Sequence, residues 1–379
     1  MKVLVVCVPA PGHVNPLSPL VEALVTQGEY VVVATGAAAG GVITRSAAEF
    51  CRAGHEEADW FETLRPCVRG IPGDGLAPER INYYFVPRLF AEIAAADMID
   101  DVIECGRELH PDLVLFETYA FAGPLAALVL GVPGVHHLIG TMLPHEVLEL
   151  ANDALSPLWR SFGQDVPGYG GVYGSTTIEV APPSLEVLQV PAGGRLALRP
   201  APLPIREPTL SSPPVVYVTL GSFFSSNLDV FRTVLEGLCT ENLGVVVMVG
   251  TDNDPSALAP VAPNVRVERF IPQADLLPRS SAVIHHGGSG MMFGSLAHGV
   301  PQVVIPQGAD NFINGDLLAR AEAAQVLAPG ELTPQAVKNA LQSVLDTPSY
   351  PEAARRLATE IAEMPSPDEV AQTLRSLFG

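Results

Sequence analysis

Along this chain, short unbroken apolar runs alternate with stretches whose apolar positions recur at helical spacing. In the first half, residues 3–8, 30–34, 113–116 and 135–139 read as strands, and 17–27, 89–108 and 121–130 as helices. Runs without polar alternation belong to strands buried on both faces, the pattern of a parallel sheet covered by helices. The stretch 51–84 is less regular and carries Trp60, Phe61, Tyr83 and Tyr84. Proline then dominates, in Arg199-Pro200-Ala201-Pro202-Leu203-Pro204 and again in Ser211-Ser212-Pro213-Pro214. Proline resists both helix and sheet, so this text reads as a stiff linker. Beyond it the alternation restarts, with strands expected at 215–220, 244–249, 265–270, 282–284 and 302–305, and helices at 228–238 and 291–298. The last segment, 349–378, is helical and interrupted at Met364-Pro365-Ser366-Pro367. The fold class is therefore α/β, in two halves, 1–205 and 206–379. Open parallel sheets bind ligands at the carboxyl ends of their strands, so two such halves predict a cleft with a two-part site.

Charge narrows the partners. The chain holds 21 Lys and Arg against 41 Asp and Glu, a net charge of −20. Such a surface repels nucleic acid and anionic lipid, and neither is expected as a partner. A phosphate-bearing ligand would have to be held by local dipoles against that field. The five cysteines, Cys7, Cys51, Cys67, Cys105 and Cys239, are odd in number and lack C-x-x-C spacing, as in a reduced compartment. The apolar run after Met1-Lys2 is too brief for a signal peptide, and Pro9-Ala10-Pro11-Gly12 reads as a strand-to-helix turn. No run approaches the ~18 apolar residues of a membrane helix. A cytoplasmic location without membrane attachment is the expectation, and the residues leave a homodimer open.

The strongest chemical signal is His285-His286-Gly287-Gly288-Ser289-Gly290, between a strand-like run and a helix-like run. Glycines entering a helix let its free N–H groups and positive dipole end approach a phosphate. His286 beside the turn can add a donor. The spacing of Gly288, Gly290 and Gly294 is not the G-x-G-x-x-G of a dinucleotide fold, and neither G-x-x-x-x-G-K-[ST] nor G-x-S-x-G occurs. The adjacent pairs His136-His137 and His285-His286 diverge on strands, so no metal site is expected. In the first half, Gly12 permits a sharp turn after the first strand and His13 follows it, where a neutral imidazole could take a proton. Glu117 ends the run 111–117, a costly place for a carboxylate unless it is paired, and suited to orienting a histidine. Alone, His13 reads equally as a helix cap, and Glu117 reads rather as a solvated loop residue. Gly221 and Ser222 close the first strand of the second half, where Ser222 could donate to a phosphate. Gln273 offers an amide to a pyrimidine edge.

Taken together, these residues resemble the family 1 nucleotide-sugar glycosyltransferases of the GT-B fold, and most nearly the actinobacterial enzymes that decorate antibiotics. The likeness runs through Gly12-His13-Val14-Asn15-Pro16, Thr219-Leu220-Gly221-Ser222, Ile271-Pro272-Gln273, 285–290, Gly299-Val300-Pro301-Gln302 and Pro306-Gln307-Gly308-Ala309-Asp310. The resemblance implies two Rossmann-like domains, the first (1–205) binding an acceptor and the second (206–379) the nucleotide sugar, with the C-terminal helix crossing back to the first. It makes His13 the general base and Glu117 its partner, where aspartate is more usual. His286, Gly288, Ser289 and Gly290 match the diphosphate site, Ser222 a phosphate contact, and Ile271 and Gln273 the nucleobase contacts. Asp310 matches a residue that bonds sugar hydroxyls, and Asn311 beside it, where glutamine is usual, would be a shorter arm touching the same sugar. Met291 replaces the usual threonine.

The implied reaction is an inverting, metal-independent transfer without a cofactor. The donor would be a TDP-sugar or UDP-sugar, and the absence of the plant tryptophan-rich signature favours a TDP-linked deoxysugar. The acceptor would be a hydroxyl of a hydrophobic aglycone such as a polyketide or macrolide. Trp60, Tyr84 and Phe85 are candidates to line its pocket, with core packing as their ordinary alternative. Two rival readings stand beside this one: a sugar-nucleotide epimerase on the same fold, and a non-catalytic helper of a transferase.

Overall fold

In the computed structural model, the described residues are 1–379 except 44–46, 69–76, 174–175, 186–192, 201–212, 222–223, 239–241 and 252. Two units emerge. Unit 1 comprises Met1–Ala181, Val187–Pro202 and Pro365–Gly379, and unit 2 comprises Pro182–Glu186 and Leu203–Met364.

Unit 1 is built on a seven-stranded sheet of β1 (Lys2–Val6), β2 (Tyr30–Thr35), β3 (Glu49–Arg52), β4 (Leu113–Glu117), β5 (Gly134–His137), β6 (Thr176–Glu179) and β7 (Gly194–Ala197). All pairings are parallel, in the order β3-β2-β1-β4-β5-β6-β7. The Val and Leu runs of β1 and β4 are buried on both faces because helices cover them, as continuous apolar strands require. From β1 the sheet grows one way through β2 and the other way through β4, so the carboxyl ends of β1 and β4 flank a topological switch point, where α/β sheets bind ligands.

The helices of this unit include α1 (Pro11–Thr26), α2 (Glu57–Val68), α3 (Ala95–Leu109), α4 (Ala122–Leu130) and α5 (His145–Ser161). Helix α1 begins at Pro11, six residues before the expected start, because Pro11 sits at N1 where a missing N–H costs nothing. His13 therefore lies in the first helical turn. A π-helical stretch, Val86–Ala94, leads into α3, so the chain underwinds where a plain helix was expected. The edge strands β3 and β7, and β6 beside the latter, escaped sequence reading because they are short and carry polar residues.

Unit 2 carries a six-stranded parallel sheet of β8 (Val215–Thr219), β9 (Gly244–Met248), β10 (Val265–Glu268), β11 (Ala282–His285), β12 (Gln302–Val304) and β13 (Ala324–Val326), ordered β10-β9-β8-β11-β12-β13. Its helices include α6 (Leu228–Gly237), α7 (Ser289–Ala297), α8 (Asn311–Arg320), α9 (Pro334–Asp346) and α10 (Ser349–Glu363). Phe231, Val234, Val337 and Leu341 from α6 and α9 pack on Val216, Val218, Val245 and Val247 of the sheet. Here the switch point lies between β8 and β11.

The final helix, α11 (Pro367–Phe378), opens with a capping box of Ser366 and Glu369 and belongs to unit 1. Gln27 donates to the Asp368 carbonyl at 2.8 Å. Arg375 reaches the Gln27 carbonyl at 2.6 Å and pairs with the buried Glu29 carboxylate. The C-terminal crossing expected by resemblance is thus present, and it amends the expected division, since 365–379 does not belong with the second half. The proline linker and the 205/206 boundary fall within 201–212, outside the described residues.

Candidate active site

Strand pairing brings His13 and Glu117 together. Val6 of β1 lies opposite Phe116 of β4, so the turn after β1 and the end of β4 share one edge of the sheet. Glu117 is fully buried. Its Oε1 accepts from the Val8 N–H at 3.2 Å and its Oε2 from the Tyr119 N–H at 2.8 Å. Two main-chain donors thus offset much of the cost of burying the charge. The third partner is His13, with Nδ1 3.1 Å from Oε1. An ionised carboxylate can only accept, so Nδ1 carries the proton and Nε2 keeps a lone pair. A proton-accepting nitrogen backed by an orienting acid is the chemistry of a general base.

Aromatic rings hold the imidazole on other sides. Tyr119 stands edge-on to it at 5.0 Å between centroids, Phe90 lies at 5.7 Å, and the two rings touch each other at 5.0 Å. Phe90 comes from the π-helical stretch, so that irregular turn delivers a ring to the base. Glu57, at the start of α2, is a second carboxyl in this field: burial holds it above the usual carboxylate range, His13 counters the shift, and Glu117 adds to it. Phe90, Tyr119 and Glu57 were not singled out from sequence; Tyr119 adjoins Glu117, whereas nothing in the local text marks Phe90.

The acceptor candidates divide. Trp60 is 2% exposed and its indole N–H donates to Asp97 at 2.8 Å, so the structure gives it to the core rather than to a pocket wall. Tyr84 and Phe85 are half-buried, in edge contact with each other, and Phe85 faces Phe61 at 5.7 Å. Gly12 is exposed, with open space where a side chain would be.

In unit 2 the same strand logic operates. His285 of β11 pairs with Thr219 of β8, which sets the turn after β8 beside the glycine turn. The two histidines have different tasks. His285 is fully buried, its Nε2 2.7 Å from Gln302 Oε1 and its Nδ1 accepting the Gly287 N–H at 3.1 Å. Burial pushes its pKa down to about 4, so it is a neutral lock on the turn. The ring of His286 lodges between two glycines. A Cβ on Gly221 would sit 2.5 Å from its Cε1, and one on Gly288 2.4 Å from its Nε2. Burial, with His285 adding to the effect, depresses the His286 pKa to about 3, leaving a neutral ring. Gly287 has φ +98°, and a Cβ there would meet the Asn311 carbonyl at 2.8 Å.

Helix α7 follows with Gly288 as its N-cap and no side-chain cap. Met291 and Met292 donate back to the Gly288 carbonyl, and among the described residues no acceptor meets the N–H groups of Ser289 and Gly290. Gly290 is exposed, with nothing within 4 Å of its would-be Cβ. Two open main-chain donors at a helix start, with room before them, form an anion cradle.

The side chain of Ser289 does not point there. Its hydroxyl donates to Asp310 Oδ2 at 2.7 Å, so a phosphate would receive the Ser289 backbone rather than its oxygen. Asn311 is 2% exposed and turned inward. Its Oδ1 accepts from the Gln307 and Gly308 N–H groups, both at 3.3 Å, and its Nδ2 donates to Asp310 at 3.1 Å. The expected sugar contact from Asn311 is therefore corrected: this side chain braces the turn 306–310. Asp310, half-buried, remains at the N-terminus of α8. Ile271 donates its N–H to Met248 Sδ at 3.4 Å, and Gln273 Oε1 would lie 3.1 Å from a Cβ on Gly294, so that glycine makes room for the amide. Phe270, 63% exposed, leaves a ring uncovered beside them. Ser222 lies outside the described residues. Among the described residues no group of three His, Cys, Asp or Glu is placed to hold a metal ion, and no helix is long and apolar enough to cross a membrane.

Comparison with known proteins places the chain in a family. Residues 84–189 match the N-terminal domain, and 232–377 the C-terminal domain, of the family described as erythromycin biosynthesis protein CIII-like. The L-demethylnoviosyl transferase of Streptomyces niveus is 31% identical over 386 residues, covering 99% of this chain and 97% of that protein. The crystal structure of the glycosyltransferase SnogD from Streptomyces nogalater superposes with a TM-score of 0.77 at 28% identity, covering 100% of this chain and 99% of SnogD. The Streptomyces sp. SF2575 glycosyltransferase SsfS6, solved with thymidine diphosphate, gives a TM-score of 0.77 at 28% identity, with 99% of each chain covered. Two parallel-sheet units, a donor-type glycine turn and matches over the whole length place this chain in the family 1 glycosyltransferases of GT-B fold, among the actinobacterial enzymes of natural-product biosynthesis.

Proposed function

We propose that this cytoplasmic enzyme moves a sugar, of the deoxy class, from a TDP- or UDP-linked donor to a hydroxyl of a hydrophobic aglycone, with inversion and without a metal. The observation that carries the reading is the His13–Glu117 pair, in which a buried carboxylate fixes Nδ1 as donor and leaves Nε2 to accept. As the acceptor oxygen attacks the anomeric carbon, its proton passes to Nε2 and the C–O bond to the diphosphate breaks. One displacement at that carbon inverts it. Glu117 offsets the charge of the imidazolium. The departing diphosphate is met by the N–H groups and dipole of α7, which supply what a metal or a basic cluster otherwise would. Phe90 and Tyr119 give the acceptor side an apolar rim around the base. An aglycone of fused or macrocyclic carbon skeleton fits such a rim, and the relatives' names point the same way, L-demethylnoviosyl transfer among them.

The test joins binding to turnover. TDP raises the melting temperature of the wild-type chain, and a TDP-sugar with a polyketide or macrolide alcohol yields TDP and glycoside in equal amounts with EDTA present. His13→Ala keeps the TDP shift and loses about 10²–10⁴ in turnover. Turnover above half the wild-type value ends the assignment of the base, and sugar epimerisation without an acceptor moves the protein to a different reaction.

A further inference from the structure

Asn314 was not marked by the sequence and touches none of the groups that transfer the sugar, yet three parts of the donor site converge on it. It lies one turn into α8 and is fully buried. Its Nδ2 is 2.7 Å from the Gly287 carbonyl, 3.1 Å from Ser289 Oγ and 3.0 Å from Asp310 Oδ2. Ser289 Oγ in turn donates to the same Asp310 oxygen at 2.7 Å, closing a triangle of serine, aspartate and asparagine. Gly287 belongs to the bend with φ +98° that aims the first turn of α7. We propose that Asn314 is a positioning residue for the donor: one amide pins the glycine turn to the Asp310 carboxylate, so that the phosphate-facing N–H groups and the sugar-facing acid hold a fixed separation.

The physical case rests on what each bond accomplishes. The Gly287 carbonyl would otherwise be buried without a donor, and that bend could relax. Asp310 Oδ2 receives two donors from the protein, which fixes the plane of the carboxylate. Ser289 spends its proton on Asp310, so the cradle before α7 presents main-chain N–H groups alone. A rigid spacing between two binding groups lowers the ordering cost of the ligand. This inference rests on the glycine turn as diphosphate site.

The experiment is titration calorimetry with TDP as the probe, at pH 5.5, 7 and 8, each variant expressed as a ratio to wild type at the same pH because TDP itself titrates. Asn314→Ala removes both N–H donors and the three contacts they share, two of them to the site's own groups, and binds TDP about tenfold or more weakly at every pH. Asn314→Asp keeps the shape but sets a second carboxylate beside Asp310. Two carboxylates sharing a site raise the pKa of one, and in the protonated form the new carboxyl can donate again. Its ratio to wild type is therefore poorest at pH 8 and recovers to within about threefold at pH 5.5. His285 and His286, neutral with pKa values near 4 and 3, do not titrate across that range. A side chain that merely fills space would show no such recovery. An Asn314→Ala chain that binds TDP within twofold of wild type, or an Asn314→Asp ratio flat with pH, overturns the proposal. Should Asn314→Ala not fold, the Asn314→Asp series decides alone. A wild-type chain that takes up neither TDP nor UDP overturns the functional reading itself, a result distinct from any difference among variants.

Discussion

Replacing Glu117 by glutamine changes one atom and tests the whole arrangement around His13. In the native chain Oε1 accepts from Val8 N–H and His13 Nδ1, and Oε2 from Tyr119 N–H. A glutamine has one accepting oxygen. Placed at Oε1, it satisfies Val8 and His13 but turns an NH2 group toward the Tyr119 N–H, leaving a buried donor unpaired. Placed at Oε2, it satisfies Tyr119 but turns the NH2 group toward the Val8 N–H and His13 Nδ1–H, and His13 escapes only by moving its proton to Nε2, where it is no longer a base. The first orientation costs about 1–3 kcal/mol of stability; the second costs more and removes the base. In either orientation the imidazolium loses its countercharge, so turnover falls by about 10²–10⁴, or roughly 3–5 kcal/mol in the barrier. The assay is release of TDP under saturating donor, with urea melts and TDP titration on the same preparations. TDP affinity stays within about twofold, because the glycine turn belongs to unit 2. Turnover above a tenth of wild type would refute the claim that this carboxylate sets the tautomer, and equal losses in turnover and TDP affinity would mean that the fold, not the base, had failed.

Three further outcomes follow, two from the glycines and one from the buried histidines. Gly288→Ala places a methyl 2.4 Å from His286 Nε2, so the ring must leave its seat, lowering both stability and TDP affinity. Gly290→Ala meets nothing within 4 Å and sits in a helix, so its melting point holds or rises by the ~1 kcal/mol that alanine gains over glycine, while TDP binds at least about tenfold more weakly. Unchanged TDP affinity in Gly290→Ala would remove the phosphate from that helix start. His136, His137 and His285 are fully buried, with pKa values lowered by desolvation to about 3, 4 and 4. Below pH ~6.5 the unfolded chain binds protons that the folded chain refuses, so stability is complete above that pH and falls as the pH drops toward 4. The slope is roughly 1 kcal/mol per histidine per pH unit, read from urea melts at pH 7.5, 6.5 and 5.5. A stability that is flat or rising toward pH 5.5 contradicts the neutral burial of these rings.

The residues at which sequence reading succeeded share a physical trait: their role is written within a few neighbours. Apolar runs announce buried parallel strands, and the glycines at 287, 288 and 290 announce a helix entry, because backbone conformation is a local matter. What escaped depends on where a side chain points once the chain has folded, whether its partners are near in sequence or far. Asn311 reads as an exposed arm until its Oδ1 is seen receiving the Gln307 and Gly308 N–H groups. Trp60 reads as a pocket aromatic until Asp97, on another helix, claims its indole. Phe90 reaches His13 only because the chain underwinds into a π-helix, an irregularity that no periodicity template carries. Boundaries were missed for a related reason. Pro11 opens α1 earlier than the apolar spacing suggests, since the first turn of a helix is set by capping and proline rather than by amphipathic pattern.

The net charge of −20 looks hostile to a diphosphate until the proposed donor site is considered at its own scale. No lysine or arginine occurs between Arg279 and Arg320, the span that holds the whole glycine turn and Asp310. Its two histidines before the helix are neutral, held so by burial. What that span itself offers is the partial positive charge at the start of α7, about half an elementary charge concentrated in the first turn. At physiological salt the Debye length is ~8 Å, so the distant acidic surface is largely screened while a phosphate in contact with the amides is not. The site therefore depends on aim rather than on charge number: a dipole end loses its value when its N–H groups point a few tens of degrees away, whereas an ammonium does not. That is why so many groups here serve to hold a backbone still. His285 grips the Gly287 N–H, Asn314 the Gly287 carbonyl, and Asn311 the turn before α8. A cationic site could tolerate their loss; an amide site cannot.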